Sequence, residues 1–227
     1  MMLFIKRNVY AARMKDLTFF LSLPDNQYYS AQFDFIRNFS QKMTALWVEE
    51  GSMDASVACA LLKKDLLTED EALANKEPFY EGPQAKRQLA CLNGAFKATS
   101  LSLKFTLRFY RAIRHASVKL SKLTLGALRD KLSKKRENNS LYTNDLKLIF
   151  SLVSSYDSLR PFYWKQKTCL LDSVALLYLL SAYNFSSDLI VGVKDEPFEA
   201  HCWLQVDDVV LNDSIEKVAA FSPILRL

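Results

Sequence analysis

The chain has 227 residues, a net charge of +5 and a composition that is half hydrophobic, which suffices for a substantial core in one domain or two small ones. No stretch approaches the length of a membrane span, and Lys6 and Arg7 interrupt the short apolar start, so we predict neither a transmembrane helix nor a secretory signal. The four cysteines form no Cys-x-x-Cys pair, no metal-binding spacing and no disulfide scaffold. We therefore expect a cytoplasmic protein with no metal or other cofactor.

Residues 1–78 are predicted to fold as a small sheet followed by helices. The runs 17–23 and 27–31 flank a Pro-Asp-Asn turn and predict two strands, with an earlier one at 9–12. Apolar residues at helical spacing predict a helix over 33–48. A second helix is expected from Asp54 to Lys64, and a third at Thr68, where Glu71 completes a capping box. A sheet followed by three helices is typical of a winged-helix module.

A linker is expected at 79–95, followed by a strongly basic helical region at 97–136. That region has twelve Lys and Arg against one acid, a net of +11, so the remainder of the chain carries −6. Apolar residues recur in it at helical spacing, which predicts amphipathic helices. A solvated helix face is the ordinary interpretation. An anionic partner surface, a phosphate or nucleic-acid site and a membrane-surface helix are the functional alternatives.

The last third begins with a loop at 136–140 and a helix at 145–155, and then a second, almost wholly apolar helix opens at Cys169. Thr168 is suited to cap that helix, which would place Cys169 at its first position. A thiolate there is favoured by the positive end of the helix dipole. A cysteine on an apolar helix is nonetheless usually an inert small hydrophobe.

Two strand-like stretches after this helix supply partners for the thiol. The stretch 189–193 is apolar, and 201–206 alternates, so that His201, Trp203 and Gln205 share one face while Cys202 lies on the other. The stretch 209–213 predicts a return strand. A two-residue turn would put Asp213 on the wrong face for His201, so we expect an odd-length turn or a bulge. Cysteine, imidazole and carboxylate in this order indicate thiol catalysis.

At these residues the C-terminal third resembles the transglutaminase-like cysteine peptidases known as the B proteins of lasso-peptide biosynthesis. The resemblance is carried by Thr168-Cys169-Leu170, the strand at 189–193, Pro197-Phe198 before His201 and Trp203, and Val210-Leu211-Asn212-Asp213. It implies a catalytic triad of Cys169, His201 and Asp213. Cys202 departs mildly from the family, in which a small residue is common, and we do not expect it to act as a nucleophile.

The resemblance implies an α+β fold with a winged-helix-like leader-recognition module at 1–78 and a papain/transglutaminase-like peptidase domain at 96–227. The expected function is cleavage of the leader from a ribosomally made precursor peptide. Tyr28 and Tyr29 are candidate leader-binding residues, although tyrosines in a hairpin usually pack, and Trp164 or Gln166 is a candidate second oxyanion donor. The expected partners are the precursor and an ATP-dependent cyclase, which would dock on the basic region.

The alternative function is that of a winged-helix nucleic-acid-binding protein with a basic helical region and an inactive thiol-protease-like domain. Its support is the charge of residues 97–136. A winged helix that binds DNA usually carries a basic recognition helix, whereas residues 54–67, which include the second predicted helix, have two aspartates and two lysines and are neutral. The sequence therefore favours the peptidase.

Overall fold

The structure is a computed structural model, and it describes most of the chain in eight segments. These are residues 2–15, 17–32, 45–47, 53–89, 102–122, 124–137, 145–163 and 168–227. No helix within these segments combines the length and the apolar character needed to cross a bilayer.

The described residues of the first part of the chain form two small antiparallel sheets and one helix. Its elements are β1 (Met2–Ile5), β2 (Val9–Met14), β3 (Leu17–Ser22), β4 (Gln27–Gln32), β5 (Ala45–Trp47), α1 (Met53–Lys63) and β6 (Leu67–Thr68). One sheet has the order β5-β1-β6 and the other the order β2-β3-β4. The predicted strands near 9–12, 17–23 and 27–31 and the helix near 54–64 are thus confirmed.

Two helix predictions in this part are wrong where the structure describes them. Ala45–Trp47, at the end of the predicted helix 33–48, forms strand β5 and pairs with β1, so non-local strand pairing overrides the local helical periodicity there; residues 33–44 and 48 lie outside the described residues. The third helix is only a 3₁₀ turn at Glu71–Leu73, which Asp70 caps. Thr68 Oγ1 accepts the Asp70 N–H instead of capping a helix.

The β2-β3-β4 sheet lies between two hydrophobic cores. Side chains alternate between the two faces of a strand, so Phe19 and Leu21 enter the large core that holds the apolar helix opening at Cys169. Phe20 enters a smaller core with residues of β1 and α1. The front sheet therefore packs directly on the C-terminal part of the chain. The boundaries 1–78, 79–95 and 96–227 and the winged-helix-like arrangement stay predictions.

Four longer helices form the middle of the chain. They are α2 (Leu103–Leu120), α3 (Leu125–Glu137), α4 (Leu146–Leu159) and α5 (Cys169–Ser181). The basic region is thus two helices, and α3 extends through Arg136 and Glu137, where a loop was expected. Helix α5 is apolar on every side and buries most of its length among α2, α4 and a sheet.

That sheet has five strands and is mostly antiparallel. Its strands are β7 (Arg87–Gln88), β8 (Asp188–Lys194), β9 (Glu199–Val206), β10 (Val209–Val210) and β11 (Ser222–Arg226), in the order β11-β8-β9-β10-β7. β7 lies inside the expected linker and pairs in parallel with β10. One face of the sheet packs on α5, and the other forms a small core with the short helix α6 (Ile215–Val218).

Candidate active site

The thiol of Cys169 lies at the exposed first turn of the buried helix α5. Thr168 adopts an extended backbone, and its Oγ1 accepts the N–H of Leu171 at 3.2 Å. This cap places Cys169 at the N-terminus of α5, where the positive end of the helix dipole favours a thiolate. Because the remainder of the helix is buried, the position of the thiol is held by the core.

His201, on β9, is bonded to a carboxylate. Its Nε2 lies 2.6 Å from Oδ2 of Asp213. The same carboxylate accepts the N–H of Ser214 at 2.9 Å and the ammonium of Lys217 at 3.1 Å. Burial would raise the pKa of Asp213, but the bonds from Ser214, Lys217 and His201 outweigh it, and the pKa is lowered. The carboxylate is therefore charged near neutral pH. Because it binds Nε2, the other ring nitrogen, Nδ1, remains to bind the Cys169 thiol.

The thiol is strongly acidified by its neighbours. Hydrogen bonds from the Cys202 thiol and from His201, together with the Cys202 backbone N–H, lower the pKa of Cys169 to about 4, although burial opposes them. Burial lowers the pKa of His201, but its bonds to Cys169 and Asp213 prevail and raise that pKa. The lowered pKa of Cys169 and the raised pKa of His201 both favour a thiolate–imidazolium pair, the reactive state of a thiol nucleophile.

Cys202 is the residue of this site that sequence reasoning left out. Strand parity does turn it from the imidazole face of β9, as expected, but that second face packs on α5 and so meets Cys169. The bond to the Cys169 thiolate and burial raise the pKa of Cys202 well above its usual value. Cys202 thus stays a thiol, and its S–H donates a hydrogen bond to the Cys169 thiolate. The sequence could have indicated this contact, because the apolar face of β9 that carries Cys202 was available to pack against the apolar helix α5.

Asp213 reaches His201 by a route that the strand-parity argument did not anticipate. The turn at Asp207-Asp208 has two residues and pairs Val206 with Val209, so the expected odd-length turn or bulge is wrong. The ladder ends after Val210, where the chain bends. Parity no longer applies beyond that point, and Asp213 turns back to the imidazole.

The bend is held by a polar network between β9 and α5. Asn212 accepts the N–H of Leu204 at 2.7 Å and donates to Ser173 Oγ at 2.8 Å. Ser173, one turn beyond Cys169, in turn donates to the carbonyl of Cys202 at 3.3 Å. These bonds tie the helix that carries the thiol to the strand that carries the imidazole.

A buried ion pair fixes the first turn of α5 from the other side. The guanidinium of Arg160, whose side chain is 4% exposed, binds the carboxylate of Asp172. Tyr156 donates its hydroxyl to the carbonyl of Asp172. An unpaired buried charge is costly, so this pair holds Asp172, and with it the turn that begins at Cys169, in one orientation.

The two candidate leader-binding tyrosines lie on opposite faces of β4. Tyr28 packs toward the large core and against Phe198, with ring centroids 5.7 Å apart. Burial, followed by the charges of Cys202 and Cys169, raises the pKa of Tyr28 to about 12. Tyr29 packs on the front core and donates its hydroxyl to Asp25. Only Tyr28 therefore lies on the side of the candidate site.

Other candidate residues lie elsewhere. Trp164, Gln166 and Cys91 lie outside the described residues. Cys59 is exposed on α1, far along the chain from the site. Within the described segments, no cluster of His, Cys, Asp and Glu side chains is suited to hold a metal ion.

The sequence comparisons cover the part of the chain that carries the thiol, the imidazole and the carboxylate. The sequence model of the Transglutaminase-like superfamily matches residues 112–226, half of the chain, which includes all three side chains. The chain belongs to this superfamily. Its members have the fold of papain-like cysteine peptidases, so an α+β fold with a transglutaminase-like domain is confirmed.

One curated protein is similar to part of the chain. Over 83 residues the chain is 31% identical to the Microcin J25-processing protein McjB of Escherichia coli. This match covers 37% of the chain and 40% of the relative, so it spans less than half the length of either protein. With the superfamily match it confirms the resemblance to B proteins of lasso-peptide biosynthesis. No solved structure matches the chain.

Proposed function

We propose that this protein is a cysteine peptidase that removes the leader from the precursor of a lasso peptide. One observation carries the proposal: the thiol of Cys169, with a pKa lowered to about 4, is bonded to His201, whose other nitrogen lies 2.6 Å from Asp213. Such a relay supplies a nucleophile, a proton donor and a group that orients the donor. The similarity to a microcin-processing protein supports the substrate class.

The chemistry follows from the protonation states. The Cys169 thiolate attacks the carbonyl carbon of the scissile peptide bond, and the first-turn N–H of α5 donates to the oxyanion. The His201 imidazolium then gives its proton to the leaving amine, and the C–N bond breaks to leave a thioester. Water, deprotonated by the neutral imidazole, attacks the thioester and releases the leader as a carboxylic acid. Asp213 holds the imidazole tautomer throughout.

The front sheet offers a position for the leader. Strand β4 is an edge of the β2-β3-β4 sheet within the described residues, so its outer backbone groups can pair with an added strand. A leader antiparallel to β4 would run from Gln32 toward Gln27. Its C-terminal end, where cleavage takes place, would then emerge beside Tyr28, on the side that faces Cys169.

Incubation of the full-length protein with the precursor encoded in the same gene neighbourhood, followed by mass spectrometry, tests this function. We expect release of the intact leader by the parent protein and by Cys59→Ala, the matched control in which an exposed cysteine outside the site is removed. Cys169→Ala should bind the precursor and release no leader. Cleavage by a folded Cys169→Ala protein would refute the proposal.

A second measurement separates recognition from chemistry. Tyr28→Ala removes the ring on the side of β4 that faces Cys169. It should therefore raise KM for the precursor, while labelling of Cys169 by a small thiol reagent stays unchanged. Tyr29→Ala, on the opposite face of the same strand, is the matched control. Equal effects on KM from both substitutions would contradict the proposed path of the leader.

A further inference from the structure

A basic cavity lies at the end of α5 that is remote from Cys169. It has a volume of about 560 Å³, is open to solvent on one side and is bordered by α2, α3 and the C-terminal end of α5. Ala112, Leu132 and Ala182 contribute small apolar surfaces. The polar lining, called the basic pocket below, consists of Arg108, Arg111, His115, Lys119, Lys131 and Tyr178.

Helix α2 directs its basic side chains into this cavity by its periodicity. Arg108, Arg111, His115 and Lys119 follow one another at intervals of three or four residues, and so lie on one face. An adjacent face of the helix, which includes Phe109, is buried in the large core. The core packing therefore fixes which face of α2 lines the pocket.

Among the residues that the structure describes, no acidic side chain lines the basic pocket. The ammonium groups of Lys119 and Lys131 meet across it, and burial together with the charge of Lys119 lowers the pKa of Lys131. Asp130, the acid next to Lys131, is paired with Arg129 at 3.2 Å, and Arg129 is outside the lining. Two cations held together without a carboxylate between them repel each other, and an anion would relieve that repulsion.

Aromatic contacts hold part of the lining in place. The guanidinium of Arg108 lies 4.3 Å from the ring centroid of Tyr183, a cation–π contact. The rings of His115 and Tyr178 meet edge to face, with centroids 4.7 Å apart. These side chains are thus ordered before any ligand arrives, which lowers the entropy cost of binding.

We propose that the basic pocket binds a small anion that carries several phosphate groups. Guanidinium and ammonium groups are the side chains that recognise phosphates, and this cavity is within the range of about 300–1,000 Å³ usual for small-molecule sites. A duplex nucleic acid or an acidic protein surface would instead contact an open basic stripe. The concave shape therefore favours a small ligand.

The basic pocket is separate from the candidate active site. Tyr178 and Ala182 follow Cys169 on or just past α5 by nine and thirteen residues, which at 1.5 Å per residue corresponds to about 14–20 Å along the helix axis. Ligand binding and thiol reactivity can therefore be measured independently in the same protein.

The test is calorimetric titration of the full chain with inorganic tripolyphosphate at constant ionic strength, with sulfate as the reference anion. The test variant combines Arg111→Gln, Lys119→Gln and Lys131→Gln. The control combines Lys104→Gln, Arg114→Gln and Lys122→Gln, which removes the same charge from exposed positions outside the cavity.

We expect saturable binding of tripolyphosphate that is at least about tenfold weaker in the test variant and unchanged within about twofold in the control. Direct hydrogen bonds to phosphate contribute more binding energy than distant surface charges, which salt screens. Equal weakening in both variants, or binding no tighter than that of sulfate, would overturn the proposal. Melting temperature and Cys169 labelling report whether each variant is folded. If the triple test variant does not fold, Lys131→Gln alone against Lys122→Gln gives the same comparison.

Discussion

The acidity of Cys169 leads to a quantitative prediction about its reactivity. With a pKa of about 4, the thiol is about 90% ionised at pH 5, whereas an ordinary thiol with a pKa of about 8.5 is about 0.03% ionised. The more acidic thiolate is also the weaker nucleophile, by about 60–180-fold for a Brønsted coefficient of about 0.4–0.5. Cys169 should therefore react about 15–50-fold faster than an ordinary thiol at pH 5 and more slowly above about pH 7.

The assay is labelling by a small neutral disulfide reagent, followed peptide by peptide with mass spectrometry between pH 3 and pH 9. The rate at Cys169 should rise through about pH 4, as its pKa requires, and Cys59 serves as the exposed comparison thiol. Cys202→Ala removes a charge-assisted hydrogen bond of about 1.5–3 kcal/mol and should move the inflection up by roughly 1–2 pH units. An inflection near pH 8.5 in the parent protein would refute the paired thiolate.

Four further outcomes are expected. Leader release should follow a bell-shaped pH profile, rising near pH 4 with the thiolate and falling above the raised pKa of His201, since the reaction needs both charged forms; a profile that keeps rising above pH 9 would contradict this. Asp213→Asn should fold and lower kcat by up to about 10⁴-fold, and a loss below tenfold would mean that the carboxylate does not orient the imidazole. Gly192→Ala puts a Cβ 2.9 Å from the Trp203 ring, which should cost about 1–3 kcal/mol in denaturant unfolding; an unchanged midpoint would show that the ring moves freely. Arg160→Met leaves the Asp172 carboxylate without its buried partner and should cost about 3–5 kcal/mol, whereas Arg160→Met combined with Asp172→Leu should recover most of that loss in the same assay.

Helix α5 shows how far local sequence reaches in this protein. Thr168 as cap, Cys169 at the first position and an apolar run thereafter predict the element, its start and its burial, and the structure agrees on all three. The same holds for the face that His201, Trp203 and Gln205 share on β9. Capping and side-chain periodicity act within one element, so sequence suffices for them.

Contacts between elements were beyond such reasoning. Cys202 was assigned correctly to the second face of β9, yet only the packing of α5 on that face brings it to Cys169. The approach of Asp213 depends on where the β9–β10 ladder ends, and Asn212 holds that end through a bond to Ser173 on another element. Neither the contact of Cys202 with Cys169 nor the end of the β9–β10 ladder can be predicted from the side-chain periodicity of one segment.

The front of the chain likewise shows which features local sequence predicts and which depend on contacts between elements. The sequence predicted β3 as a strand and assigned it to a separate module, but both faces of this strand are buried. In the structure Phe19 faces the core of the C-terminal part, and Phe20 faces the front core. Ala45–Trp47, whose sequence has helical periodicity, forms a strand that pairs with β1. The sequence by itself determined the longer strands β2, β3, β4, β8 and β9, the helix that carries the thiol and the residue types available for catalysis. Tertiary structure decided which faces meet, because the free energy of burying two apolar surfaces together belongs to the pair and not to either segment.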